Sequence, residues 1–581
     1  MPFLPAMPER SVQRRTTDVF AGYNHRLKIA DGEFYDTKNL TTSYYPLLAS
    51  RKKRGLVQHF TDFQGMTSLN DKLAYVDNRV LYYDDAATPV AGLSDGDKQL
   101  VTFGAYICVF PDAVYYNTVD PTDYGPMASS LTISNANLEY RMCNSDGVEY
   151  GTATKADTAP ETPTDGQLWI DTKYNKLMQY SVSSVTWVQL TNVYTKIIFP
   201  ELTAGSRPSD QFKQYDAVTI EGSSIDDLNG SKVLYSVGEN FVVVVGILDN
   251  VQSQTGATIK MYQVIPQMDF VIECKNRLWG CFYGKNDAGE TINEIYCCVL
   301  GDFKNWYRFM GVSTDSYVAS VGTEGPWTGA VNYLGYPTFF KENAIHRVSV
   351  SAAGAHQIMD TPARGVQKGS HKSLAIINET LYYKSREEVC AYQGGFPSGI
   401  SQALGDLKYS GAVGGALGDK YYLCMKDSAG LYSMFVVDTA KGLWIKEDDL
   451  QCQELVRCNW EMYAASESTL WALTGTDGVL EGAVPWMAES GILYYEYPDK
   501  KYVSRYNLRL SMEKSSRLKI FIEYDSDGVW VPSGEIFFSG TGTVTVPIRP
   551  RRCDHLRLRL EGRGHFRLFS MARILEVGSD Y

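Results

Sequence analysis

The chain has 581 residues, 44% hydrophobic and 21% charged, with 55 basic against 67 acidic side chains and a net charge of -12. It is too apolar for a disordered chain and too varied for a low-complexity one. The length suggests roughly three to four domains, and the negative sign excludes general polyanion binding, so any nucleic-acid contact must be local.

No apolar run approaches the ~20 residues needed to cross a bilayer. The start, Met1 to Arg10, has no apolar signal core, so neither membrane insertion nor export by that route is expected. Eleven cysteines are scattered without a CxxC pair. Several lie in apolar strand-like runs, such as Cys108 and Cys424, which reads as reduced core thiols of a protein made in a cytoplasm.

Taken in chain order, residues 1-60 read as an N-terminal arm lying on a neighbour. The arm carries Arg10, Arg14 and Arg15 and ends in the basic cluster Arg51, Lys52, Lys53 and Arg54. Short alternating segments separated by Asn, Asp or Gly turns then begin, at Thr67 to Asp84 and Val101 to Asn117, and mark 61-127 as the first blades of a β-propeller. Residues 128-266 differ in texture. Ala159 to Val188 looks like a small aromatic module containing Trp169, Tyr180 and Trp187, and Asp216 to Ile247 like a short barrel, so this stretch is expected to be an insertion of two small β domains.

The repeat resumes over 267-490. Phe270 to Gly284, Asn293 to Cys298 and Asn305 to Phe309 are expected to fill one four-stranded unit, and further copies follow at Val331, Ala375, Val413 and Ser468. Their spacing of about 40 to 60 residues is that of propeller blades. In the copy from Lys420 the pattern predicts an inner strand at Lys420, a middle strand ending in Asp438 and an outer one carrying Trp444. The 40 tyrosines suit packing between blades, where large rings are needed on both faces of each sheet. From 491 to 581 strict alternation at Asn507 to Met512, Leu518 to Tyr524 and His555 to Leu560 predicts a β-sandwich. The whole is an all-β chain: a propeller, an inserted pair of β domains and a C-terminal sandwich.

Catalytic spacings such as HExxH, GxSxG and Walker A are missing, so no catalytic residue, cofactor or metal is assigned. His346 and His356 stand near Asp360, either as a His/His/Asp site or, the favoured reading, as loop histidines on a blade edge; Asp525 and Asp527 before Gly528 could ligate calcium but lack a bidentate acid at the right spacing and read as a hairpin turn. The charge pattern is more informative. Between Pro547 and Leu575 eight arginines, Arg549, Arg551, Arg552, Arg557, Arg559, Arg563, Arg567 and Arg573, face only Asp554 and Glu561. Arg binds phosphate and carboxylate bidentately. This face and the cluster at 51-54 are therefore candidates for contact with DNA or an acidic partner. Trp169, Tyr180 and Trp187 are candidates for stacking on a sugar.

Three stretches carry a family resemblance: Phe20 to His25 with Gly32 to Leu40, Tyr45-Pro46 and Arg54-Gly55; Glu379 to Tyr383 with Gly394-Gly395 and Asp438 to Trp444; and Ile548 to Gly562. Together they resemble the phage stabilisation proteins, similar in plan to packaged-DNA stabilisation and tail-nozzle proteins of short-tailed phages. The resemblance implies a virion protein without enzymatic activity, forming a homohexameric ring below the portal and adaptor, with packaged double-stranded DNA passing through the lumen. A baseplate protein or adhesin that binds host carbohydrate through the insertion is the alternative. A propeller glycosidase would need two carboxylates near the axis, and no sequence feature favours it.

Overall fold

Two-residue turns with both residues at positive φ set the hairpin rhythm of this chain. Asn70 and Asp71 have φ of 52° and 59°, and Asn378 and Glu379 have 46° and 64°. Such turns match the twist of the strands they join, and Asn and Asp tolerate the left-handed conformation better than other side chains. In the computed structural model, which describes residues 12-247, 251-286, 289-351, 355-495, 500-514 and 516-577, these hairpins build a seven-bladed propeller.

The innermost strands of the blades are Phe63–Leu69, Gln99–Phe103, Phe270–Glu273, Gly329–Tyr333, Ala375–Ile377, Tyr409–Leu417 and Glu454–Cys458. The first six head four-stranded sheets whose strands follow one another in sequence. The seventh is completed from the other end of the chain: Gly55–His59 pairs with Thr469–Ala472 as its fourth strand, and Val479–Leu480 covers the far edge. The seventh innermost strand lies against the first, so the ring is closed. Gly55 is needed there, because a Cβ would sit 1.7 Å from the Asp477 carbonyl oxygen.

Blade details differ from the sequence reading in two places. Lys420–Asp427 is the second strand of its blade, inside which lies Tyr409–Leu417. The glycines of Gly411, Gly414 and Gly415 hide the inner strand's alternation. In the third blade Asn305 to Phe309 is loop, and the outer strand is Tyr317–Ser320. Tyrosines join neighbouring blades by ring and hydroxyl together. Tyr333 donates to Glu379 O at 2.8 Å, Tyr383 to Arg364 O at 2.6 Å and Tyr421 to Ser373 O at 2.6 Å. All three rings are fully buried, so each hydroxyl satisfies a loop carbonyl that the packing has removed from water.

The insertion leaves after the second blade. Its main sheet has seven strands running from Gly230–Val233 through Ala217–Glu221, Gln252–Tyr262, Ser130–Cys143, Tyr194–Ile198 and Phe241–Val245 to Ser236–Val237. The two end strands are not paired with each other, so the expected barrel is an open, curled sheet. A four-stranded sheet from Ala153 to Gln189 is the second module. Buried Asp216 ties the insertion to the third blade, accepting from Asn305 at 2.5 Å and Gln263 at 3.1 Å.

The C-terminal sandwich is built from both ends of the chain. One sheet contains Leu40–Thr41, Leu48–Ser50, Phe566–Val577, Lys501–Met512 and Gly540–Pro547, with Val12–Thr17 added on Phe566–Val577; the other contains Gly22–Tyr23, Glu33–Lys38, Pro485–Ser490, Leu556–Arg563, Arg517–Tyr524 and Val531–Phe537. The expected N-terminal arm is thus corrected: Arg14 and Arg15 lie on an edge strand of this sandwich, and Arg10 lies outside the described residues. All eleven cysteines are buried and free. Among the described residues no helix is long and apolar enough to cross a membrane.

Trp486 and Phe566 stack at 3.7 Å between the two sheets of the sandwich, and the indole N–H donates to Gly564 O at 3.1 Å. Trp486→Ala opens a cavity at this contact and is expected to cost about 3–5 kcal/mol, read as a lower midpoint for the sandwich transition in chemical denaturation.

Candidate functional site

The candidate assembly surface centres on the seam between sandwich and propeller. Here the structure separates the basic cluster into two pairs with opposite fates. Arg51 and Arg54 point inward and are buried, whereas Lys52 and Lys53 are exposed. Arg54 reaches Asp448 at 2.6 Å and Glu447 at 2.7 Å on the outer strand Leu443–Asp448 of the sixth blade. Arg51 donates to Asn39 at 2.7 Å and pairs with Glu481. Burial works against the charge on Arg54, but Asp448 and Glu447 outweigh it and raise its pKa. Arg51 and Arg54 are therefore internal braces buried away from any partner, correcting their assignment as contact residues.

The Arg-rich end divides in the same way. Arg573 is fully buried and holds Asp31 at 2.7 Å. Arg559 pairs with Glu489 at 2.7 Å and lies 3.9 Å from the Trp530 ring centre. Arg557 bridges Glu489 and Glu523 and also faces Trp530. Arg551 is half exposed and meets Asp527 at 3.2 Å. Only Arg549 and Arg552 of the assigned arginines are exposed with no ion-pair partner among the described residues. The acids that neutralise the others sit on strands and turns outside 547-575, which alternation within that stretch does not reveal.

Lys52 and Lys53 border a cleft of about 470 Å³ between the seventh blade and the sandwich, lined also by Tyr44, Thr476, Glu513 and His565, whereas Arg549 and Arg552 lie outside its lining. Arg567 stacks over Tyr44 at 4.1 Å from the same side. Two mobile ammonium groups at a cleft mouth can hold an anionic or acidic group without demanding a fixed geometry.

The aromatic trio is brought together on the outward face of the small inserted sheet. Trp187 meets Trp169 edge-on at 5.4 Å and Tyr180 at 5.3 Å. Trp169 is buried and donates to Ala156 O at 3.0 Å, so it supports the cluster and only Tyr180 and Trp187 offer partly open rings. Asp525 and Ser526 form the expected hairpin turn, at φ of 52° and 53°. Asp525 accepts from the Asp554 backbone at 2.9 Å, and Asp554 pairs with His555.

Sequence reading missed the propeller axis. The single turn His371–Ser373 lies across it, against the innermost strands of the fourth and sixth blades. Ser370 Oγ accepts from Ala412 at 3.0 Å, His371 packs on Phe270 at 5.2 Å, and Lys372 reaches Glu454 at 3.5 Å. Glu454 also accepts from the Met66 backbone at 3.0 Å, and burial raises its carboxyl pKa. The turn therefore ties together the inner strands of the third, fourth, sixth and seventh blades, and Glu454 extends the link to the first.

No protein-family model and no curated protein matches the sequence. Among solved structures, an exo-β-1,3-galactanase from Phanerochaete chrysosporium aligns over 52% of this chain and 94% of its own, at 9% identity and a TM-score of 0.22. A Mycobacterium tuberculosis puromycin-hydrolyzing peptidase aligns over 75% of this chain and 61% of its own, at 9% identity and a TM-score of 0.24. Likeness this low says nothing of what this chain binds or does.

Two outcomes follow from this geometry. Arg54→Met leaves Glu447 and Asp448 buried without their cation and is expected to destabilise by about 3–5 kcal/mol, whereas Lys52→Glu leaves the melting temperature unchanged; differential scanning fluorimetry compares them. Burial, with help from Lys372, pushes the His371 pKa down to about 4 from its ordinary value of 6.5. The unfolded chain then binds the proton more readily than the fold, so His371 contributes stability above pH 6.5 that is lost as pH falls toward 4. His371→Gln should flatten the pH dependence of the melting temperature in that window.

Proposed function

We propose that this chain is a structural virion protein of the neck or tail of a short-tailed phage. In this reading six copies form a ring below the portal and adaptor that retains packaged DNA and passes it at ejection. The observation that carries the proposal is the bracing of both chain ends: N- and C-terminal segments share one sandwich, and Arg51 and Arg54 fasten that sandwich to the propeller rim. Such a body transmits load between neighbours without a hinge, as a ring holding pressurised DNA requires.

In this reading DNA runs through the lumen between copies and not along the propeller axis, against which the His371–Ser373 turn packs. An overall charge of -12 lets a duplex slide past most surfaces through mutual repulsion, screened over about 8–10 Å. Lys52, Lys53, Arg549 and Arg552 then supply local attraction to an acidic neighbour or to phosphate. The second reading, an adhesin, is favoured by one observation, the partly open Tyr180 and Trp187 rings on an outward sheet face.

Negative-stain microscopy of purified protein and of virions tests the first reading. Rings on the tail are expected, and the combination Lys52→Glu, Lys53→Glu, Arg549→Glu and Arg552→Glu should lower particle yield at unchanged melting temperature. Absence of the protein from the tail, together with glycan binding that Trp187→Ala abolishes, would favour the adhesin.

A further inference from the structure

The fourth blade carries a hydrogen-bonded relay that plays no part in the assembly just described. His346 and Asp360 are directly opposed on the neighbouring strands Ala344–Val350 and His356–Pro362, so their side chains share one face of the sheet. His346 Nδ1 meets Asp360 Oδ1 at 2.5 Å, and its other nitrogen, Nε2, lies 3.0 Å from Thr323 Oγ1. Thr323 comes from the crossover between the third and fourth blades. His356, adjacent in sequence, is turned away and packs on Trp279 and Tyr317.

Hydroxyl, imidazole and carboxylate are thus linked in the order that activates an oxygen nucleophile. The imidazole is fully buried and Trp327 closes over it at 5.0 Å, so its orientation is held from three sides. Thr323, Asp360 and Lys341 line a cleft of about 350 Å³ with Glu324, Glu342 and Pro326. Lys341 is buried, donates to Asn293 at 2.9 Å and to Thr323 O at 2.6 Å, and lies 4.5 Å from the Trp327 ring centre. An ammonium group has three N–H donors. Two are used, which leaves one for charge developing in the cleft.

We propose that Thr323, His346, Asp360 and Lys341 form an acyl-transfer site that hydrolyses small carboxylic esters. Thr323 Oγ attacks the ester carbonyl carbon while His346 Nε2 takes its proton, and Lys341 stabilises the negative charge on the carbonyl oxygen. Collapse breaks the ester C–O bond, and the imidazolium proton leaves with the alcohol. Water, deprotonated by His346, then attacks the acyl-threonine, the proton returns to Thr323 Oγ, and the acid departs. The net reaction consumes one ester and one water and gives one acid and one alcohol. Asp360 holds the imidazole tautomer that presents Nε2 as acceptor.

The test uses the full-length protein with p-nitrophenyl acetate and butyrate. Turnover is expected, with an acetyl adduct trapped by acid quench on the peptide containing Thr323. Thr323→Ala, His346→Gln and Asp360→Asn should each lower kcat by about 100-fold or more, while Thr323→Ser retains activity and the adduct. Burial lowers the His346 pKa and Lys341 adds to this, with Asp360 opposing, so the acid limb of the rate profile should lie below pH 6.5. Melting temperatures establish that each variant is folded. Should Thr323→Ala fail to fold, the adduct in wild type and its persistence in Thr323→Ser decide the matter. No turnover by the wild type, turnover unchanged in folded Thr323→Ala, or an adduct elsewhere would overturn the proposal. Ring assembly is read separately and does not depend on it.

Discussion

Closure of the ring by Gly55–His59 is the constraint on which the rest of the molecule depends. A circular array of sheets has no stable end: an open seventh blade would leave the row of main-chain groups on Thr469–Ala472 unpaired. The strand that supplies the missing hydrogen bonds lies more than four hundred residues away in sequence. Once it is bound, the strands within 12-50 and those within 485-577 meet in the same two sheets. The sandwich is then the compact solution for two chain ends held side by side.

That arrangement explains where the ionic groups went. Arg51 and Arg54 flank the closing strand, and Glu447, Asp448 and Glu481 meet them from the sixth blade and the chain's return. Buried charge is tolerated only with partners on hand, and the seam offers carboxylates from both sides. The arginines of Leu556–Arg563 follow the same rule, drawing Glu489 and Glu523 from the strands on either side. A stretch that looks strongly cationic in sequence is therefore partly neutralised in space, and of the exposed cations Lys52 and Lys53 border the cleft at the seam. Shared tyrosine hydroxyls do the equivalent work between blades, and the turn His371–Ser373 does it at the axis.

The two proposed roles fall on different parts of the fold. The proposed assembly surface is the cleft at the seam, whereas the Thr323, His346 and Asp360 relay belongs to the fourth blade. Strand pairing aligns His346 with Asp360 for any sequence in this register. The crossover bringing Thr323 to Nε2 is what turns an ordinary cross-strand pair into a directed relay.

Alternation, turn residues and repeat spacing were enough to read an all-β propeller, an insertion and a terminal sandwich, because those signals arise between residues a few positions apart. The same local logic located the turn at Asp525 and the aromatic module around Trp187. It misread Asn305 to Phe309 as a strand, since apolar content alone does not tell a packed loop from an edge. It also overlooked Tyr409–Leu417, whose glycines carry no side-chain pattern. Which arginines stay free, which strand closes the ring and which hydroxyl reaches His346 were decided only by tertiary structure. Ion pairing, ring closure and the relay each join groups from separate parts of the chain, and burial sets their energies only once the fold has brought them together.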